Sequence, residues 1–149
     1  MKVNQAILSV FIHETEDYNK IVNTIESFFS PLISSSKKNI ATVQGHYGNK
    51  IVILEYRFDK KNGEQFFKMI LDKIETTELM FILTTMDSHM NGSKLYLRFD
   101  KQYLVAERRL VLKEGDDVVK CMISFNTSLE NIKEEIKKLV SSRIMHSKL

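Results

Sequence analysis

The chain has 149 residues, 43% apolar and 28% charged, with a formal net charge of +3. That length and balance fit one globular domain over residues 1–149 and exclude a disordered or collagen-like chain. One proline, five glycines and a lone cysteine, Cys121, exclude a proline-rich linker and an internal disulfide, so a reducing cytoplasm is the expected compartment.

Gln5–His13 alternates Ala6, Leu8, Val10 and Ile12 with Ile7, Ser9, Phe11 and His13, a strand apolar on both sides. Thr15 reads as a helix N-cap, with Glu16 and Asp17 in the first turn, where the helix dipole favours negative charge. Tyr18, Ile21, Val22, Ile25, Phe28, Phe29 and Leu32 follow at helical spacing until Pro31 helps to end the run. Asn39–Gln44 and Lys50–Phe58 form a hairpin around Gly45-His-Tyr-Gly-Asn49, where glycine and asparagine accept the positive φ of a tight turn. This hairpin is expected at the centre of the sheet, with Val52, Leu54, Tyr56 and Phe58 on one face.

Phe66, Phe67, Ile70, Leu71 and Ile74 define a second helix; Leu79, Ile82, Leu83 and Met86 define a third. After the Asn91–Gly92 turn, Lys94–Asp100 alternates Leu95, Leu97 and Phe99 with Lys94, Tyr96 and Arg98. Glu107–Lys113 and Val118–Phe125 read as a further hairpin, joined by a turn at Glu114–Asp117. Thr127-Ser-Leu-Glu130 has the spacing of a capping box and opens a last helix through Ile132, Ile136 and Val140. Residues 143–149 are expected to be a flexible basic tail. The order β-α-β-β-α-α-β-β-β-α predicts an α+β two-layer sandwich: a mostly antiparallel sheet of about six strands with helices on one face.

The helix-free face is expected to carry Ile51, Ile53, Val111 and Met122 beside Lys94, Arg98, Arg109 and Lys120. That face is too apolar to be left wholly in water, so a partner or a second copy is expected to cover part of it. Positive charge gathers on the predicted strands. Residues 37–61 and 94–113 each hold six basic residues against two acidic ones, while 1–36 and 62–93 are net acidic. Such basic strand segments are a footprint for a polyanion; a solvated mixed-charge surface is the alternative.

The motifs of catalysis are missing. His13-Glu14 begins like a zinc-binding H-E-x-x-H, but position 17 is Asp17, and His13, His46, His89 and His146 are scattered. No P-loop or G-x-G-x-x-G is present, so no enzyme activity, cofactor or metal is expected, and no run is long and apolar enough to span a membrane. Gly45-His-Tyr-Gly48 matches the short G-x-x-G of KH domains, but it joins two strands where that loop joins two helices.

Three blocks, Phe11-Ile-His-Glu-Thr-Glu-Asp17, Gly45-His-Tyr-Gly-Asn-Lys-Ile51 and Leu95-Tyr-Leu-Arg-Phe-Asp-Lys-Gln-Tyr103, together resemble an archaeal family. Its members are predicted exosome subunits and RNA-binding proteins with a double-stranded-RNA-binding-like, ribosomal-protein-like α+β fold. The family pattern places proline after the turn asparagine; this chain has Lys50 there. The resemblance implies a non-catalytic RNA-binding module that contacts structured RNA mainly through phosphates and shape. It also implies a link to RNA processing or the archaeal exosome.

The shared residues are Gly45, His46, Gly48, Asn49, Asp100, Lys101 and Gln102. Asp100 is read as structural; Gln102 either touches RNA or bonds backbone. Lys50, Lys94, Arg98, Lys101, Arg108, Arg109 and Lys113 are the expected backbone contacts, and Tyr96 is placed to stack on a base. The expected partner is RNA, with a homodimer or an exosome-related protein as further partners. A protein-interaction or adaptor domain docking through its apolar sheet face is the alternative.

Overall fold

The computed structural model describes residues 2–147. Its strands are β1 (Val3–His13), β2 (Lys37–Gln44), β3 (Lys50–Asp59), β4 (Met90–Asn91), β5 (Lys94–Asp100) and β6 (Val118–Phe125). Its α-helices are α1 (Tyr18–Phe28), α2 (Lys60–Lys73), α3 (Thr76–Thr84), α4 (Met86–His89), α5 (Lys101–Glu107) and α6 (Leu129–Ser147). All six strands join one antiparallel sheet in the order β2-β3-β1-β6-β5-β4. This is the α+β, two-layer arrangement that the alternation predicts.

The core lies between the sheet and its helices. Ala6, Leu8, Leu54, Phe58, Leu95, Leu97, Phe99, Cys121 and Ile123 are fully buried on the covered face. Phe66 of α2 stacks on Phe58 with ring centroids 4.4 Å apart, and Phe67 meets the edge of Phe125. Gly63 lets α2 come this close, because a Cβ there would lie 3.2 Å from both the Ala6 nitrogen and the Phe58 oxygen.

Several local expectations need correction. The β2–β3 hairpin is not central: β2 is an edge strand, exposed along its whole length, and β1 holds the middle between β3 and β6. β1 is apolar on both sides, whereas β2 carries Lys37, Lys38, Asn39, Thr42 and Gln44, which belong at a wet margin. Glu107–Lys113 is not a full strand. Asp100 caps α5 by accepting from the Tyr103 N–H at 2.9 Å, and Arg108 ends that helix in the left-handed region at φ 55°. The chain then runs along the outer edge of β5, bridging Phe99 and Leu112, while β4 takes the start of the same edge.

Asp17, not Thr15, caps α1, accepting from the Lys20 N–H at 3.1 Å. At α6 the cap is Ser128, whose Oγ accepts from the Asn131 N–H at 3.3 Å; Thr127 Oγ1 instead accepts from the Asn131 side-chain amide. Ser128→Ala is therefore expected to lower stability by about 0.5–2 kcal/mol in chemical denaturation, more than Thr127→Ala. α6 also continues through the expected tail. Arg143 donates Nη1 to the Ile74 carbonyl at 2.7 Å and Nη2 to the Leu71 carbonyl, tying the last turns of α6 to the end of α2. Lys148 and Leu149 lie outside the described residues.

Candidate nucleic-acid interface

Strand alternation sorts the sequence-predicted residues on β5. Leu95, Leu97 and Phe99 point into the core, so Lys94, Tyr96 and Arg98 project from the helix-free face. Across the ladder their neighbours on β6 are Ser124, Met122 and Lys120. Arg98 therefore sits directly opposite Lys120. Two like charges in that position repel unless an anion joins them. Among the described residues no ion pair holds Lys94, Arg98 or Lys120.

The strip continues across the sheet. Met122 faces Ile7 on β1, Ile7 faces Arg57 on β3, and Arg57 faces Lys37 on β2. Glu55 is bound to Arg57 at 2.8 Å. Between these basic ends the surface is apolar, with Phe11 42% exposed and Ile7, Ile51, Ile53 and Met122 half-buried. Val111, also expected here, is half-buried in the segment beside β5, where its carbonyl accepts from the Asp100 N–H.

At the β5 edge a groove of about 810 Å³ opens beside this face. β5 and β6 line it with Tyr96, Arg98 and Lys120; α3 and α4 add Phe81 and His89; the 112–115 segment adds Lys113 and Glu114. Lys113 is exposed, 3.9 Å from the Asp100 carboxylate, and its N–H donates to the Arg98 carbonyl. His89 Nε2 lies 2.8 Å from Thr85 Oγ1, and burial depresses its imidazole below the ordinary value while Glu114 pulls the other way.

The remaining candidates fall elsewhere. Lys101 is 1% exposed and turned inwards, so no phosphate can reach its amine. Its Nζ donates to the Phe11 carbonyl and to Glu16 Oε1, both at 2.8 Å, and to Asp117 Oδ1 at 2.9 Å. Gln102 bridges the same two carboxylates, at 2.9 Å to Glu16 and 3.4 Å to Asp117. Burial raises the Glu16 carboxyl, but hydrogen bonds from Lys101, the His13 N–H and Gln102 outweigh it and leave it below the usual range. The Lys101 hydrogen bond likewise holds Asp117 low.

Arg108 donates to Ser27 Oγ on α1 at 3.0 Å. Arg109 is not on the sheet at all and pairs with Glu75 at the start of α3. Lys50 is exposed at the hairpin end, separated from β5 by β1 and β6. In the turn Gly48 takes φ 79°, and a Cβ on Gly45 would lie 2.5 Å from the Asn49 side chain. Tyr47 is 92% exposed, its ring set edge-on to that of His46.

Among the described residues no group of three His, Cys, Asp or Glu side chains can hold a metal ion. No helix there is long and apolar enough to cross a membrane. Cys121 is buried, which pushes its thiol far up and leaves it no nucleophile.

A family model described as RNA binding matches residues 5–125. The chain belongs to this RNA-binding family. An uncharacterized protein of Methanocaldococcus jannaschii is 32% identical over 95% of this chain and 98% of its own length. A protein of Pyrococcus abyssi named RNA-binding protein is 25% identical over 75% of each chain. A crystal structure of a Sulfolobus solfataricus protein superposes with a TM-score of 0.88 at 84% identity, covering 94% of this chain and 99% of that one. The family match runs from Gln5 in β1 to the end of β6 and takes in α1 to α5, and with them the strip and the groove.

One groove residue escapes a reading of charge and alternation, and the pairing of another escapes it. Phe81 belongs to a helix whose core positions are Leu79 and Ile82, and it falls off that spacing, which is its signal. Lys120 is placed on the right face by alternation, yet its neighbour across the ladder, Arg98, is fixed only by the β5–β6 register.

Proposed function

We propose that this chain is a non-catalytic RNA-binding module that grips structured RNA by its phosphates along β5 and β6. The observation that carries this reading is the cross-strand pair Arg98–Lys120, two cations held side by side with no carboxylate joining them. Bridging by a phosphate relieves their repulsion, so binding energy is available before any base is read. Lys94 and Lys113 flank the pair, with Lys50, Lys37 and Arg57 as outlying contacts. Lys101, Gln102, Arg108 and Arg109 serve the fold in this reading. Association with RNA processing or the exosome, and a cytoplasmic setting, rest on the family resemblance.

Arg98→Ala with Lys120→Ala is expected to weaken binding to unrelated structured RNAs alike. It should lower the slope of log affinity against log salt by about two units, one per phosphate contact. Melting temperature should stay level or rise, since a like-charge contact is removed. Arg109→Ala is the control: it loses an exposed ion pair worth about 0–1 kcal/mol and leaves the slope intact. Filter binding over a range of salt reads both; an unchanged slope in the double variant sinks the proposal.

A second reading is supported by Phe11 and its half-buried neighbours on the open face: a protein partner or a second copy docks there. Light scattering and partner capture on the parent and on a Phe11→Ser variant test it: the variant should lose an association that the parent shows, and a parent that is monomeric and retains no partner argues against it.

A further inference from the structure

We infer that the groove at the β5 edge receives an unpaired nucleotide of the bound RNA, a reading that rests on the RNA-binding function proposed above. Its volume, about 810 Å³, falls within the range of clefts that bury small ligands and exceeds what a phosphate contact needs. It is lined by two aromatic rings from different elements, Tyr96 of β5 and Phe81 of α3. Phe81 is 54% exposed, although leaving an aromatic ring in water forfeits burial energy. A base stacked on it recovers that loss, and single-stranded RNA is commonly held in this way.

The charges divide the groove in the manner a nucleotide needs. Arg98, Lys113 and Lys120 supply positive charge for the phosphate. Glu114 is the one carboxylate that lines the groove among the described residues. A phosphate filling the whole groove meets that carboxylate and is repelled, whereas a base with an exocyclic amino group donates to it. The paired regions of an RNA cannot enter, because their bases are stacked and their edges engaged. The module then recognises a bulge or loop nucleotide set in a duplex whose phosphates lie on the Arg98–Lys120 strip.

The test compares a fully paired RNA hairpin with the same hairpin carrying one bulged adenosine, against the parent, Phe81→Ala, and Phe81→Ala with Tyr96→Leu. Phe81 is exposed, so its replacement leaves the fold in place, and a melting curve verifies this. The parent is expected to bind the bulged hairpin about 5- to 150-fold more tightly, the effect of one stacked base. Both aromatic variants should lose that advantage, and Phe81→Ala should keep the parent's affinity and salt slope for the paired hairpin. Equal binding of both hairpins by the parent, or an advantage that survives in the double variant, overturns the inference and leaves the phosphate reading standing. Failure of the parent to bind either hairpin overturns both.

Discussion

Leu54→Asp is expected to unfold the protein at neutral pH. Leu54 is fully buried on β3, paired with Val10 of β1 on one side and Ile40 of β2 on the other. The change removes a packed side chain and puts a carboxylate where no cation can join it. Losing the packing costs about 2–5 kcal/mol. Burying the charge, or protonating it to avoid doing so, adds several more. Domains of this size are stabilised by only about 5–15 kcal/mol in total, so little native state should remain. Circular dichroism and denaturant titration measure the loss. A melt matching the parent's would mean that residue 54 faces water.

Lys101→Ala is the second large effect, expected at up to about 3 kcal/mol at pH 7, because it leaves the mostly buried Glu16 and the solvent-screened Asp117 without the cation between them. The effect should depend on pH in a definite direction. Both carboxyls lie below their unfolded values of 4.5 and 3.8 in the folded protein, so their pairing stabilises fully above those values. It is lost as pH falls from there through the lowered folded values, when the parent keeps a buried ammonium beside neutral acids. The gap between parent and Lys101→Ala should therefore be wide and flat above about pH 5, and should narrow progressively as pH falls below the unfolded values and through the lower folded ones. Denaturation at stepped pH reads this; a gap that persists unchanged in acid would show that the carboxylates are not its source.

The residues that drove each element explain what the sequence disclosed. Lys94–Asp100 and Val118–Phe125 alternate cleanly because one face is buried and the other is not, and both are strands. Alternation is local, and so it is silent about which strands meet. β1 pairs with β6 across more than half the chain, a contact that no neighbouring residue encodes, so the middle of the sheet was not legible. Leu110-Val-Leu112 has every propensity for a strand, yet Arg108 turns the backbone and β4 already holds the start of the β5 edge, leaving a single bridge. In the site, Lys94, Tyr96 and Arg98 were readable from their period of two. Lys101 was not separable from them, since one lysine looks like another until Glu16 and Asp117 are seen to close around it.

The exposed margin formed by β2 has a colloidal consequence. Its outer row of backbone N–H and C=O groups is a template on which another extended chain can lie, and Ile40 and Val43 add apolar surface to it. Lys37 and Lys38 stand at its entrance, and Lys38 is only partly neutralised by Glu26, at 2.6 Å. Mutual repulsion between these ammonium groups keeps molecules apart at low ionic strength. Added salt shortens that repulsion to a few ångströms, about 3 Å at 1 M. If phosphates bind the basic strip as proposed above, the ionic conditions that release them also lower the barrier to strand-to-strand self-association, and solubility and ligand release then share one electrostatic control.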